Sequence, residues 1–370
     1  MCIVAYVSGH GFGHSAREVE ILRRLPADVP LVVKTAAPEW FWRSEVARPF
    51  TFVADTFDVG TVQTTSVDVD ARATLAAYEE ITARNAARAD GELADLARRG
   101  ARLIVTDVPS FPLTLAARLG VPGVCVANFT WSDIYAELGE SAEPGLAPVA
   151  ERLAAEYAHA TLLLDAGLSL PMPYFPHRAN VGIVARPHAD RRGELVRWLG
   201  VDDATRIALL YVGNWDLPLS WPRLENFAPD WHFVSLSPPP APVANLTVLP
   251  QTVLRHPDLV ASCDVVISKP GYGLVGECLS SGTPLLYCPR TGFAEYAALD
   301  AALSAWPGGL RLGAADFLAL NWRAALDRLP PRGSLPKITA DGGPRAAALL
   351  TQIYWEGKLP ANFAETPGLP

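Results

Sequence analysis

Two histidines lie four residues apart in a glycine-rich segment near the start of the chain, Gly9-His10-Gly11-Phe12-Gly13-His14. An imidazole titrates near neutral pH, so His10 or His14 could serve as a general base that removes the proton of a hydroxyl group. Gly11 and Gly13 allow close approach of a ligand to the backbone, and a helix that begins here would attract an anion to its N-terminus. The residues alone do not choose between the two histidines, and a β–α turn without chemistry is the alternative.

A second glycine-rich segment, Ser268-Lys-Pro-Gly-Tyr-Gly-Leu-Val-Gly-Glu277, has residues that suit a nucleotide. Lys269 and the backbone N–H groups at Gly271 and Gly273 could hold a diphosphate. Glu277 could accept hydrogen bonds from two ribose hydroxyls, and the alternative for it is a simple helix-dipole partner. No acidic residue follows at a strand end about 20 residues later, so the segment does not indicate an NAD enzyme.

Three other groups of residues have a structural and a functional interpretation. Phe129, Trp131, Asp133 and Tyr135 follow a predicted strand and would either line an acceptor pocket or pack a helix. The acidic string Asp68-Val-Asp70 precedes a predicted helix, so N-terminal capping is favoured over binding of a metal ion. In Trp40-Phe41-Trp42, which cannot all face one side of a helix, at least one ring is expected to be exposed.

These residues require elements that hold them, and the sequence alternates short apolar runs with longer helical stretches. This alternation predicts an α/β fold with mostly parallel sheets. The pattern restarts after 181–187, so we expect two domains, at 1–180 and 188–343, joined by a hinge at 181–187. A C-terminal helix and tail at 344–370 are expected to pack back on the first domain. The predicted strands are Cys2–Val7, Pro30–Thr35, Thr51–Ala54, Leu103–Thr106, Gly123–Ala127, Ile207–Val212, His232–Leu236, Leu246–Leu249, Val265–Ser268 and Pro284–Cys288. The first predicted helix begins with a capping box at Ser15-Ala-Arg-Glu18. Further helices are predicted at about 70–99, Phe111–Leu119, His188–Leu199, Gly273–Ser281 and Ala294–Leu303. Helices are also predicted after Ala127, ending at about Tyr157, and near Pro257.

Composition narrows the function classes. The formal net charge is −8, with 31 basic and 39 acidic residues among 370, which argues against a nucleic-acid-binding protein. Five scattered cysteines without metal-ligand spacing indicate buried, reduced thiols. No apolar run is long enough to span a membrane, and the opening segment lacks the features of a signal peptide, so we expect a cytoplasmic protein.

Several ordered stretches resemble one family. The sequence is similar to the N-terminal, glycosyltransferase-like half of plant-type L-arabinokinases, and more distantly to the family-28 inverting transferases, such as the N-acetylglucosaminyltransferase that makes lipid II. The similarity covers roughly residues 2–350. The stretches that carry it are Tyr6-Val-Ser-Gly-His-Gly-Phe-Gly-His-Ser15, Asp107-Val108, Val124-Cys-Val-Ala-Asn-Phe-Thr-Trp131, Ile134-Tyr-Ala136, Pro171-Met-Pro173 and Lys269 to Glu277.

The resemblance implies a GT-B fold, in which two Rossmann-like domains face each other across a ligand cleft. It implies that Glu277 binds the donor ribose, that Arg186 faces the diphosphate and that Glu295 contacts the donor sugar. It also places a phosphate loop at Gly213-Asn214-Trp215-Asp216. The expected catalytic residues are His14 or His10; the expected donor-binding residues are Gly11, Gly13, Arg186, Gly213, Asn214, Lys269, Gly271, Tyr272, Gly273, Glu277 and Glu295; the expected acceptor-binding residues are Asp107, Asn128, Phe129 and Trp131.

The resemblance therefore implies an inverting, metal-independent glycosyltransferase that uses a nucleoside-diphosphate sugar, with UDP favoured, and no cofactor. The acceptor would be a small molecule or a glycan with a free hydroxyl, and its identity stays open, as does the oligomeric state. Two alternatives remain: an epimerase or hydrolase of nucleotide-sugars with the same fold, and a nucleotide-sugar-binding protein without catalysis.

Overall fold

The structure is a computed structural model that describes residues 1–64, 68–212, 218–290, 292–360 and 363. Its described residues form two parallel β-sheets with helices packed around them. Each sheet belongs to one Rossmann-like domain, and we call these the first and the second domain. The α/β architecture expected from the alternation of strands and helices is confirmed.

The first domain is built on a seven-stranded sheet in the order β3-β2-β1-β4-β5-β6-β7, with every pairing parallel. Its central strands are continuous apolar runs that are buried on both faces, as expected of parallel strands covered by helices. The strands are β1 (Cys2–Val7), β2 (Leu31–Thr35), β3 (Thr51–Ala54), β4 (Ala101–Asp107), β5 (Gly123–Ala127), β6 (Leu162–Asp165) and β7 (Arg178–Asn180). The helices are α1 (Phe12–Leu22), α2 (Glu39–Glu45), α3 (Ala71–Arg99), α4 (Phe111–Leu119), α5 (Trp131–Ser141) and α6 (Leu146–Tyr157).

The second domain has a six-stranded sheet in the order β10-β9-β8-β11-β12-β13, again entirely parallel. Its strands are β8 (Arg206–Tyr211), β9 (Trp231–Ser235), β10 (Leu246–Val248), β11 (Val265–Ser268), β12 (Leu285–Tyr287) and β13 (Gly309–Arg311). Its helices are α7 (Arg192–Leu199), a 3-10 helix at Trp221–Phe227, α8 (His256–Ser262), α9 (Tyr272–Ser281), α10 (Tyr296–Ala305), α11 (Ala314–Leu318) and α12 (Arg323–Leu326), and the last helix of the chain is α13 (Gly342–Glu356).

The chain connects the two domains twice. It passes from β7 into the second domain through residues 181–187, and it returns at α13, whose first backbone N–H donates to the carbonyl of Ile183 at 3.0 Å. Helix α13 packs against α1 and β4. The Tyr354 hydroxyl donates to the Met1 carbonyl at 3.1 Å, so the end of this helix is fixed to the start of the first sheet.

Several local predictions are confirmed. Asp70 caps α3, because its side chain accepts from the Ala73 N–H at 2.9 Å. Of the three aromatic residues on α2, Trp40 is exposed whereas Phe41 and Trp42 are buried. All five cysteines are buried and unpaired. Among the described residues no helix is long and apolar enough to cross a membrane.

The predicted capping box at Ser15 and Glu18 is wrong. Helix α1 begins at Phe12, with Gly11 as its N-cap at a φ of 76°, so Ser15 and Glu18 lie inside the helix and are fully buried. The sequence analysis also missed the short strands β6, β7 and β13 and the short helices α11 and α12.

Candidate active site between the two domains

Three neighbouring strands of the first sheet end at one place. Strand β1 lies between β2 and β4, and β5 lies beyond β4, so the carboxyl ends of β1, β4 and β5 are adjacent. The loop after β1 leads into α1, which has His14 in its first turn. Asp107 is the last residue of β4 and pairs with Val7, and Asn128 directly follows β5. Parallel topology thus gathers residues that are far apart in sequence.

These side chains form a hydrogen-bonded cluster around His14. The His14 Nδ1 lies 2.8 Å from the Asp107 Oδ1. Arg17, one turn further along α1, donates to both Asp107 oxygens, from Nε at 2.7 Å and from Nη2 at 2.5 Å, and from Nη1 to the Asn128 Oδ1 at 2.5 Å. Because Asp107 accepts at Nδ1, a neutral His14 has its proton there and an electron pair on Nε2.

The electrostatics of the cluster favour an ionised Asp107. Burial alone would raise the pKa of this carboxyl, but the charges of Arg17 and His14 outweigh burial and hold the pKa below its ordinary value. Asp107 and Asn128 were assigned to acceptor binding from the sequence. Both are completely buried; the Asp107 side chain contacts His14 and Arg17, the Asn128 side chain contacts Arg17, and their role towards an acceptor stays a prediction.

Aromatic rings enclose the His14 imidazole. The ring centroids of Phe129 and Trp131 each lie 5.8 Å from that of His14. The Trp131 Nε1 donates to Asp58 at 2.7 Å, and the Tyr135 hydroxyl donates to the Gly60 carbonyl, which fixes this wall. Phe129 and Trp131, two residues predicted to face the acceptor, therefore border the candidate base.

Trp131 is also one of the residues that line a pocket of about 140 Å³. Aromatic rings contribute much of its wall, and Asp58 and Glu156 provide carboxyl groups. Burial is the main cause that raises the pKa of both carboxyls. The aromatic residues that line the pocket are Phe57, Tyr78, Phe111, Trp131 and Tyr135.

His10 has a different environment from His14. Its Nε2 lies 3.4 Å from the Thr61 hydroxyl and 3.3 Å from the Gln63 amide nitrogen, and its ring packs edge-on against Trp131. Burial, followed by electrostatic interactions with His14, Lys269 and Arg290, lowers the pKa of His10 to about 4. Among the described residues, His14 has a carboxylate partner and His10 has none.

The glycines of both loops border open space. A Cβ added at Gly11, Gly13, Gly271 or Gly273 would meet no heavy atom within 4 Å. Gly271 precedes the first turn of α9, which has no side-chain cap, so its N–H groups are available to an anion. These four predicted donor-binding glycines therefore leave room for a ligand near both loops.

Glu277, the predicted ribose ligand, lies on α9 in a buried ion-pair network. Its Oε1 accepts from Arg186 Nη2 at 2.9 Å, and its Oε2 lies 2.8 Å from the Nδ1 of His256. Burial raises the pKa of Glu277, but Arg186 and His256 outweigh this and lower it to about 2. The His256 ring packs against Tyr211 at the end of β8, with centroids 4.9 Å apart.

Arg186 joins the two domains at this network. Besides Glu277 it contacts Glu45 of α2, with Nη1 3.0 Å from Oε1. Arg255 contacts the other oxygen of Glu45 at 3.2 Å. Arg186 was predicted to face a diphosphate; in the structure its guanidinium lies between two carboxylates.

Glu295 directly precedes α10 and is buried beside Arg290. Its Oε1 lies 3.6 Å from Arg290 Nη1, and the Arg290 guanidinium stacks on Phe293. Burial raises the pKa of Glu295, and Arg290, His14 and Lys269 oppose that rise. Glu295 and Lys269 of the second domain therefore act electrostatically on the same region as His14 of the first.

Tyr272, the first residue of α9, reaches across to the first domain. Its hydroxyl accepts from the Val184 N–H at 3.1 Å and donates to the Ala166 carbonyl. Its ring centroid lies 5.1 Å from the Cζ of Arg17. Tyr272 was predicted to bind the donor, and its described contacts are with the hinge and with the first domain.

Some predicted residues cannot be placed. Gly213, Asn214, Trp215 and Asp216, the expected phosphate loop, lie outside the described residues. Among the described residues no three His, Cys, Asp or Glu side chains cluster as a metal site. Sequence reasoning missed Arg17, Glu45 and His256, and only Arg17 had a signal, since it lies three residues after His14 on one helical face.

Comparisons with known proteins relate the chain to sugar-handling enzymes. No family model matches it. It is 31% identical to the L-arabinokinase of Arabidopsis thaliana over 361 residues, which cover 94% of this chain and 34% of that protein, so the chain spans about a third of this relative. A UDP-glucosyltransferase from Polygonum tinctorium, solved with 3,4-dichloroaniline, aligns over 96% of this chain and 94% of its own, with a TM-score of 0.62 and 15% identity. UGT2 of Phytolacca americana, solved with UDP-2-fluoro-glucose and pterostilbene, aligns over 96% and 95%, with a TM-score of 0.61 and 15% identity.

These similarities confirm the fold and the resemblance expected from the sequence. The two parallel-sheet domains have the GT-B architecture of the solved glycosyltransferases. The sequence homology is to one segment of L-arabinokinase. At 15% identity the structural similarity concerns the fold.

Proposed function

We propose that this chain, which has the GT-B fold and is homologous to a segment of L-arabinokinase, transfers a sugar from a nucleoside-diphosphate donor to a hydroxyl acceptor. The observation that supports this best is the pair of His14 and Asp107, which are 2.8 Å apart at the end of the first sheet. Opposite this pair, the second domain offers an uncapped helix N-terminus and a buried carboxylate at Glu277.

The chemistry begins at the Nε2 of His14. This nitrogen removes the proton from the acceptor hydroxyl, while the Nδ1–H donates to Asp107, which stabilises the imidazolium that forms. The acceptor oxygen attacks the anomeric carbon from the side opposite the diphosphate. The bond between that carbon and the diphosphate oxygen breaks, so the product has the inverted configuration.

The second domain stabilises the leaving group. The backbone N–H groups at the start of α9 and the Lys269 ammonium bind the diphosphate as its charge increases. Glu277 binds the ribose hydroxyls, and Glu295 contacts the hydroxyls of the transferred sugar. The mechanism assigns no step to a metal ion, because the helix N-terminus and Lys269 provide the positive charge.

UDP is the favoured nucleotide because the solved relative from Phytolacca americana holds UDP-2-fluoro-glucose. On the acceptor side, Phe129 and Trp131 border His14, and Trp131 also lines the aromatic pocket. These walls suit an acceptor whose hydroxyl is attached to a ring that packs against aromatic faces.

A transfer assay tests the proposal. The chain is incubated with a panel of UDP-hexoses and UDP-pentoses and a panel of hydroxyl acceptors, with mass spectrometry for the glycosylated product and NMR for its anomeric configuration. The proposal predicts an inverted product together with stoichiometric UDP. UDP release without acceptor would indicate a hydrolase, and UDP binding without any transfer would indicate a binding protein; either result contradicts the proposal.

A further inference from the structure

Arg17 is a buried cation beside the candidate base His14. The proposed transfer reaction assigns no step to Arg17. Only 4% of the residue is exposed, and its donors contact three oxygens, two on Asp107 and one on Asn128. Its Nη2 also lies 3.4 Å from the Nδ1 of His14. A guanidinium that binds both oxygens of a carboxylate fixes the plane of that carboxylate. Arg17 therefore determines where Asp107 presents Oδ1 to His14.

The remaining face of Arg17 is covered from the other domain. The Tyr272 ring lies over the guanidinium, with its centroid 5.1 Å from Cζ, a distance at which a cation is attracted to the ring face. The ring is held in place because its hydroxyl bonds to Val184 in the hinge and to Ala166 just after β6. Tyr272 also lies between Gly271 and Gly273 in the donor loop.

We propose that Tyr272 is a positioning residue that acts on the base of the opposite domain through Arg17 and Asp107. The ring holds Arg17, Arg17 orients Asp107, and Asp107 keeps the proton of His14 on Nδ1. The base is therefore set for catalysis when α9 of the donor-binding domain is docked on α1. The catalytic meaning of this chain of contacts rests on the proposed function.

The state of His14 should depend on Tyr272 for a chemical reason. A neutral imidazole accepts a proton at Nε2 only when its own proton is on Nδ1. When Arg17 loses the ring, the Asp107 carboxylate is less fixed and favours that tautomer less. A fraction of His14 then has its proton on Nε2, where it can no longer act as the base.

Nuclear magnetic resonance of histidine side-chain nitrogens in the full chain tests the proposal without turnover. His14→Ala assigns the His14 signals. We expect the Nδ1–H tautomer in the wild type and in Tyr272→Phe, which keeps the ring, and an added Nε2–H population in Tyr272→Leu. Arg17→Lys, which keeps the charge but loses the two-pronged contact, should also show this population. Trp198→Leu, an exposed aromatic residue on α7, is the control for the substitution itself.

The result that overturns the proposal is a Tyr272→Leu variant whose His14 keeps the wild-type tautomer. An equal change in Tyr272→Phe and Tyr272→Leu would also overturn it, because the hydroxyl contacts and not the ring would then be responsible. With an acceptor in hand, kcat should fall by about 2- to 30-fold in Tyr272→Leu, the range of a cation–π contact, and by less in Tyr272→Phe. A tautomer change in a chain that transfers no sugar would contradict the proposed function alone.

Discussion

Replacing Glu277 by glutamine tests the buried network of the donor half. Glu277 is 4% exposed and bonded to Arg186 and His256. Burial opposes ionisation, yet Arg186 and His256 lower the pKa of Glu277 from 4.5 to about 2. A shift of ~2.5 units at ~1.4 kcal/mol per unit corresponds to about 3 kcal/mol of stability at neutral pH. The side chain is too buried for solvent to screen much of this.

The sign of the pH dependence follows from the lowered pKa of Glu277. Its contribution is complete above about pH 5 and is lost as the pH falls towards 2, so about 2 kcal/mol should be lost between pH 7 and pH 3. Urea unfolding at both pH values measures this. The free energy of unfolding of the wild type should exceed that of Glu277→Gln by about 2 kcal/mol more at pH 7 than at pH 3. The same difference at both pH values would refute the argument.

The same variant separates a structural from a ligand-binding role. If Glu277 binds the ribose, UDP affinity measured by calorimetry should fall by about 10- to 100-fold, because charge-assisted hydrogen bonds are lost. Glu45→Gln is the matched control, since it removes the other carboxylate on Arg186 from the side of the first domain. Equal UDP affinity in the wild type and in both variants would contradict the proposal that Glu277 binds the ribose of the donor.

Three further outcomes are expected. Burial and neighbouring positive charges lower the pKa of His10 to about 4, so His10 is neutral between pH 6 and 9. The variant His10→Ala should therefore reduce kcat/KM by less than about tenfold and leave the pH profile of kcat/KM unchanged over this range. Treatment with a chelator should leave the rate of transfer unchanged, whereas a loss restored by Mg²⁺ or Mn²⁺ would contradict the metal-independent proposal. Lys34 is buried and contacts Glu92 at 2.6 Å and Asp95 at 3.0 Å. The variant Lys34→Met should therefore lower the free energy of unfolding, measured by urea titration, by about 1–3 kcal/mol. An unchanged free energy of unfolding would show that these ion pairs contribute nothing to stability.

Much of the fold could be predicted because apolar strands and amphipathic helices alternate along the chain. The ten predicted strands lie within about two residues of observed strands, but β6 (Leu162–Asp165) was missed although its sequence is a leucine run. Strands β7 (Arg178-Ala-Asn180) and β13 (Gly309-Leu-Arg311) were missed because each is three residues long and has a single large or small apolar side chain between polar residues or glycine. The start of α1 was placed too late because Ser15 and Glu18 imitate a capping box. The actual N-cap is Gly11, whose positive φ no side-chain pattern announces.

His14 and Glu277 could be singled out from their residue types and spacing, and their roles in catalysis and ribose binding stay predictions. The residues that support them could not be singled out, because their role depends on contacts across the sheet. Asp107 and Arg17 are 90 residues apart in sequence and meet only because β4 lies beside β1. The paired state of Arg186 requires Glu45, which belongs to the other domain. Likewise, Tyr272 looks like a loop residue until the docking of α9 on α1 places its ring over Arg17.

The most direct test of the central claim is the transfer rate of His14→Ala, measured together with its UDP affinity. Loss of a general base lowers kcat by about 10²- to 10⁴-fold. We expect the kcat of His14→Ala to fall within this range while its UDP affinity stays unchanged, because His14 lies on the acceptor side of the site. Transfer within about tenfold of the wild type would contradict the assignment of His14 as the base.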